Sequence, residues 1–380
     1  MNIWAQIKAR YSITKAFRAG SIYKTIGNGD NEKKIFPKIH SIRITDHITE
    51  YVFTLPTGLN PDIVKKGHFA FQQVFGKNVI LDGDVKKYVL TVQTSPKPDL
   101  IYKFDEIKPI VEPYRLGIIC GQDRSGHYIA YDIAEKPHIL IAGETGSGKS
   151  TQLRSILTTL IKTKRPEELQ IYLGDCKRQE FHIFRKVEHV QCVYSSARDI
   201  KKMLNNIRAE MDSRSNLTEI YEVGHIDDLP KEHKKPYIIV CIDEFVMLRK
   251  DEDIMGILTE IVAIGRTLGV FAILSMQRPN AKVLDTTVRA NLTVSMGFKL
   301  RDVLEAKIAN TPNADKIEKS GRFIMNSDKV YEIQAPYLVM EKAKYLLNPF
   351  YVAKGPVKEI MTEEPKQLTE KDVFNDVINN

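Results

Sequence analysis

Residues 138–150 read His138-Ile-Leu-Ile-Ala-Gly143-Glu-Thr-Gly-Ser-Gly148-Lys149-Ser150, an apolar run that ends in the pattern GxxxxGK[ST]. A chance match in a chain of this length is roughly one in a hundred. Context sharpens it: HILIA reads as a buried strand, and Thr151-Gln-Leu-Arg-Ser-Ile-Leu-Thr-Thr-Leu-Ile161 follows with helical spacing. A glycine-rich loop between strand and helix lets backbone N–H groups turn inward onto phosphate oxygens, and the helix N-terminus adds positive potential. The candidate nucleotide-binding residues are therefore Gly143, Glu144, Thr145, Gly146, Ser147, Gly148, Lys149, Ser150 and Thr151. Lys149 is expected to reach the β- and γ-phosphates of ATP, and the Ser150 hydroxyl to ligate Mg²⁺.

About ninety residues on, Tyr237-Ile-Ile-Val-Cys-Ile-Asp243-Glu244 is an apolar strand that ends in two acids. A carboxylate at such a strand tip can hold Mg²⁺ through its water shell, the role expected of Asp243. A second acid is what hydrolysis needs, a base that orients the attacking water, and Glu244 is the candidate. The next strand closes in Ile273-Leu-Ser-Met-Gln277-Arg-Pro279, where Gln277 is placed to sense a γ-phosphate.

Around these motifs the rhythm from about residue 116 is strand, loop, helix. Apolar strands are expected at 138–142, 170–174, 189–194, 237–242, 270–275 and 292–298, with helices at 150–163, 197–213 and 254–268. Such alternation predicts an α/β fold with a parallel sheet covered on both faces. Residues 39–111 differ: SIRITDHI, EYVFTLP, NVILD and KYVLTVQT are short, β-branched and alternating, which predicts a small β-rich N-terminal domain over 39–115. Pro96, Pro98, Pro109 and Pro113 mark a linker. The nucleotide domain is expected over 116–345, and 346–380 reads as an acidic tail.

Charge is unevenly spread. Residues 1–45 hold nine Lys or Arg against Asp30 and Glu32, which is seven of the net +8 of this 380-residue chain. A basic arm over 1–38 beside a nearly neutral body points to a polyanion, either nucleic acid or an anionic membrane face. Residues 4–18 have helical spacing with basic residues between apolar ones. No apolar run approaches the roughly 20 residues that span a bilayer, and no signal peptide is read, so a cytoplasmic protein is expected. Cys120, Cys176, Cys192 and Cys241 lie far apart without a CxxC pair, which argues against a disulfide framework or a zinc site.

In this order the motifs resemble the motor domain of the FtsK/SpoIIIE family of DNA-pumping ATPases. KPHILIAGETGSGKS resembles its entry strand and phosphate loop, GDCKRQEF its D-P-K-x-x-E-[LF] stretch, and YIIVCIDEF its acidic strand. LTEIVAIGRTLGVFAILSMQRP and VRANLTVSMGFKL resemble the segments that follow. The likeness runs from about 116 to 338 and implies a RecA-like P-loop ATPase core. It further implies an ATP-driven, sequence-tolerant translocase of double-stranded DNA working as a homo-oligomeric, hexameric ring. The neighbouring subunit is then expected to donate an arginine to the γ-phosphate, with Arg266, Arg289 and Arg301 as candidates; Arg178, Lys282 and Arg289 lie near strand ends as DNA-contact candidates. Cys176 stands where the family has proline, Glu305-Ala306-Lys307 where it has D-S-R, and Ser320-Gly321-Arg322-Phe323-Ile324-Met325 where it has a G-x-G-D-M-L hairpin. With no membrane span before the motor, compact members of this kind resemble the coupling proteins of conjugative elements, docked to the membrane or a secretion channel by a partner or by the basic arm. The competing readings are a ring ATPase that moves a protein substrate in a secretion system and a nucleotide-gated DNA-binding adapter.

Overall fold

The computed structural model describes residues 3–27, 32–44, 48–76, 79–93, 100–281, 283–284 and 286–353. Most of the acidic tail and the candidate Lys282 lie outside these. The chain divides into two compact units, Met1–Pro98 and Asp99–Asn380.

In the first unit, α1 (Ile3–Ala19) precedes a two-stranded ribbon of β1 (Lys24–Ile26) and β2 (Lys33–Ile35). Next come β3 (Lys38–Ile44), β4 (Ile48–Thr54), α2 (Asp62–Lys66), α3 (His68–Phe75), β5 (Val79–Gly83) and β6 (Lys87–Gln93). The antiparallel sheet runs β3-β4-β6-β5. In β4 every second residue is buried, the period that puts Tyr51 and Phe53 on one face. The buried side of α1, with Ile13, Ala16 and Phe17, closes that core, and the Phe17 ring sits 5.0 Å from Phe53 and 6.1 Å from Phe71. The basic helix is thus built into the β-rich unit by its apolar face.

The second unit begins with α4 (Phe104–Val111), where the proline spacing had pointed to a linker. Ile107 and Val111 are buried, and Phe104 packs beside them, so the apolar spacing outweighs Pro109. The strands are β7 (Gly117–Asp123), β8 (Tyr128–Asp132), β9 (Ile139–Ala142), β10 (Leu169–Asp175), β11 (Val190–Tyr194), β12 (Tyr237–Asp243), β13 (Val270–Met276), β14 (Val294–Gly297), β15 (Arg322–Asn326) and β16 (Val330–Gln334). The helices after α4 are α5 (Lys149–Thr163), α6 (Ala197–Ile220), α7 (Glu252–Ile264), α8 (Thr286–Asn291), α9 (Val303–Ile308) and α10 (Met340–Leu347). One sheet holds all ten strands in the order β11-β10-β12-β13-β9-β14-β15-β16-β7-β8. From β11 to β14 neighbours are parallel, as the strand–helix alternation predicts. From β14 to β8 they are antiparallel, an extension that the short, mixed-polarity strands did not announce.

Alternation along the central strands feeds two separate cores. Ile239, Cys241, Phe271 and Ile273 face one side with α5; Ile238, Val240, Ile242 and Leu274 face the other with α6 and α7. Burial on both faces is why these strands read as continuous apolar runs. The early residues of the tail also pack: Glu188 donates its backbone N–H to Phe350 O, and Val352 donates to Lys186 O.

His138 opens β9 in the left-handed backbone region, φ 61°, and is 1% exposed. Its Nδ1 accepts the Ala272 N–H at 3.1 Å, which fixes the neutral tautomer with the proton on Nε2. Burial lowers its pKa to about 4. The unfolded imidazole protonates near pH 6.5 and the folded one resists until about 4. This group's contribution is therefore complete above pH 6.5 and lost as the pH falls toward 4, on the order of 3 kcal/mol in all. His138→Asn, which tolerates a positive φ, is expected to flatten the stability–pH curve between pH 6.5 and 4 in chemical denaturation.

Candidate nucleotide site

The loop 143–148 leaves the end of β9, which lies between β13 and β14 in the parallel half of the sheet, and enters α5 at Lys149. Gly148 caps the helix at φ 111°, and a Cβ there would sit 2.8 Å from the Gly321 Cα. Only glycine fits both the backbone and the space. Neighbouring segments hold the loop in place. The Gly321 N–H donates to Ser147 O at 2.7 Å, the Glu144 N–H to Lys299 O at 2.9 Å, and the Ser320 hydroxyl to Gly146 O at 3.0 Å.

β13 lies hydrogen-bonded between β9 and β12. That order brings the tips of three strands together: the phosphate loop, Ser275 to Gln277, and Asp243-Glu244. Lys149 Nζ donates to Asp243 Oδ1 and to Ser275 Oγ, each at 2.7 Å, and Ser275 Oγ donates to Asp243 Oδ1 at 2.6 Å. All three side chains are buried, where a charge is kept only with a partner.

Glu244 is buried as well and adopts φ 56°, ψ 46°, a left-handed conformation unusual for a residue with a side chain. Its carboxylate is held on both oxygens: Lys177 Nζ donates to Oε2 at 3.0 Å and the Gln277 backbone N–H to Oε1 at 3.2 Å. Strained backbone that persists because its surroundings fix it is a recurrent feature of reactive sites.

Lys149, Asp243 and Gln277 border a cavity of about 390 Å³, lined also by residues 144–146, 148 and 150–151 and by Lys177, Gln334 and Tyr337. That volume falls within the range of small-ligand pockets, roughly 300–1,000 Å³. Gly143, Ser147 and Glu244 are not among the lining residues, and Glu244, which follows Asp243 in the chain, is buried. The oxygen donors Ser150 and Asp243 in one cavity suit Mg²⁺, a hard cation that prefers oxygen.

Arg266, Arg289 and Arg301 are all exposed, and none lines the cavity. Arg178 is exposed on the loop after β10. That loop is shaped by Asp175, whose carboxylate accepts the backbone N–H groups of Gln179, Glu180 and Phe181 at 3.0–3.1 Å. The turn so formed does not depend on a proline at position 176. The Cys176 thiol is pushed up to about 12, first by burial and then by the neighbouring carboxylates, so it is no thiolate nucleophile.

Sequence reasoning missed several contributors. Lys177 was visible in GDCKRQEF without a role, Ser320-Gly321 only as a shortened hairpin, and Arg154 not at all. Arg154 bridges the wall, donating to Glu180 Oε2 at 2.9 Å and to Leu338 O at 2.7 Å.

The model of the FtsK/SpoIIIE family matches residues 108–233. The DNA translocase FtsK of Borreliella burgdorferi is 28% identical over 308 residues, which cover 71% of this chain and 39% of that protein. Its counterpart in Streptomyces coelicolor is 26% identical over 276 residues, 66% of this chain and 30% of that protein. The chain thus spans less than two fifths of the length of these curated relatives. Among solved structures, the pCW3 conjugation coupling protein TcpA, a monomer form with ATPgS, superposes with a TM-score of 0.61 at 24% identity, covering 90% of this chain and 98% of that one. The cytoplasmic domain of the Thermomonospora curvata type VII secretion ATPase EccC gives 0.57 at 22% identity, covering 69% and 32%. At these identities the structural matches speak for the fold. The motif-based resemblance to the FtsK/SpoIIIE family is borne out by the family and relative matches.

Proposed function

We propose that this chain, an FtsK/SpoIIIE-type protein by sequence match and by fold, hydrolyses ATP and uses the energy to move DNA. The observation that carries the reading is the convergence of Lys149, Asp243 and Gln277 on one cavity, delivered by three neighbouring strand tips, with Glu244 beside Asp243 and hydrogen-bonded to the Gln277 N–H. Loop N–H groups and Lys149 bind the phosphates; Ser150 and Asp243 would hold Mg²⁺, which would supply positive charge to the phosphate oxygens. Glu244 orients water and takes its proton, and Gln277 reports the γ-phosphate to the segment beyond β13. The Gln277 backbone N–H already contacts Glu244, which gives sensor and base a shared hydrogen bond.

DNA as the substrate is supported by the curated relatives, which are DNA translocases. Movement along any sequence calls for phosphate contacts, from Arg178 and Arg289 among others. The developing charge on the γ-phosphate asks for a further cation. With Arg266, Arg289 and Arg301 all exposed, a neighbouring subunit in a hexameric ring supplies it. Service to a conjugative element is the biological setting suggested by the fold it shares with a conjugation coupling protein.

Triplex displacement tests the reading. Purified protein with ATP is expected to strip a third strand from the far end of a long duplex. Stripping that is absent with ATP, or equal with a non-hydrolysable analogue, would remove translocation from the proposal.

A further inference from the structure

α1 buries one face, and its exposed face is not ordinary. At 100° per residue, Trp4, Ile7 and Tyr11 fall within about 60° of one another. They are 79%, 56% and 70% exposed, although each is large and apolar. Lys8, Lys15 and Arg18 project on the same side, while Ile13, Ala16 and Phe17, roughly opposite, fill the core of the first unit. The helix has four cations and no acid. A helix that needed only one buried face would carry polar residues on the other.

We propose that this outward face of α1 docks on an anionic lipid surface. Trp and Tyr are the side chains that settle at the headgroup level, with an apolar body and a polar tip. Ile7 gains only from leaving water, which a duplex exterior of phosphates and sugars does not offer. Lys8, Lys15 and Arg18 would neutralise acidic headgroups. The buried side already holds the helix to its own unit, so the helix needs no folding on arrival and lies flat with its charged and aromatic groups aimed together. No helix among the described residues is long and apolar enough to cross a membrane, and a surface helix of this kind attaches without spanning.

Trp4 is the chain's single tryptophan, so its emission reports this face alone. Full-length protein is titrated with vesicles of equal phosphatidylglycerol and phosphatidylcholine, with pure phosphatidylcholine vesicles, and with duplex DNA. The expected result is a blue shift and protection from iodide quenching on anionic vesicles, fading as salt is raised. Ile7→Asp should lower partitioning about tenfold or more while the far-UV circular dichroism stays unchanged. Lys8→Glu and Lys15→Glu should each lower it by roughly fivefold. Emission that stays unmoved by anionic vesicles overturns the proposal. So does a shift produced by duplex DNA in place of vesicles, or one that grows with protein concentration alone, which would assign the face to nucleic acid or to a second copy of the chain.

Discussion

Lys149→Ala is expected to abolish ATP turnover, by about a thousandfold or more, because it removes the only loop cation that reaches the transferring phosphate. It should also weaken the fold, and for a separate reason. Lys149 is the ion-pair partner of buried Asp243, and removing one member of a buried pair leaves the other uncompensated, at a cost of up to about 3–5 kcal/mol. The Ser275 hydroxyl still donates to Asp243, which puts the loss at the lower end. The two effects separate in a double variant. Lys149→Ala with Asp243→Asn should regain most of the stability in denaturant titrations and none of the turnover. If the double variant were as unstable as the single one, the Lys149–Asp243 pair would not be the source of the loss.

Glu244→Gln should do the reverse, keeping nucleotide affinity within about threefold while hydrolysis falls by about a hundredfold to ten-thousandfold. The amide keeps the size of the side chain and an oxygen for the Gln277 N–H, and gives up only the basicity and the charge facing Lys177. Retention of a fluorescent ATP analogue together with phosphate release measures both quantities. Normal phosphate release would mean that the base lies elsewhere.

The nucleotide site was legible in the sequence to the extent that its parts are local. The phosphate loop is eight contiguous residues, and the acids close an apolar strand, so neighbours in sequence carry both signals. Gln277 took its meaning from the expectation that its strand lies beside the acidic one, and the register of β13 with β12 bears that out. What stayed hidden is non-local. Ser275 looked like one more strand residue until β13 fell between β9 and β12. Lys177 and Gly321 reach the site from loops about 30 and 170 residues from the phosphate loop, and no periodicity encodes such an approach. The antiparallel half of the sheet was equally silent, because β15 and β16 are only five residues each and β16 is largely unburied. In the first unit the charge pattern of α1 was evident, but which of its faces is buried was decided by Phe53 and Phe71, distant in sequence.

The most direct test of an ATP-driven DNA motor is the rate of ATP hydrolysis with and without long double-stranded DNA, at two salt concentrations. Strong stimulation by DNA that fades as salt rises is the predicted result, since contacts to phosphates weaken with ionic strength. Robust hydrolysis indifferent to DNA would contradict it and would point to a motor that handles protein.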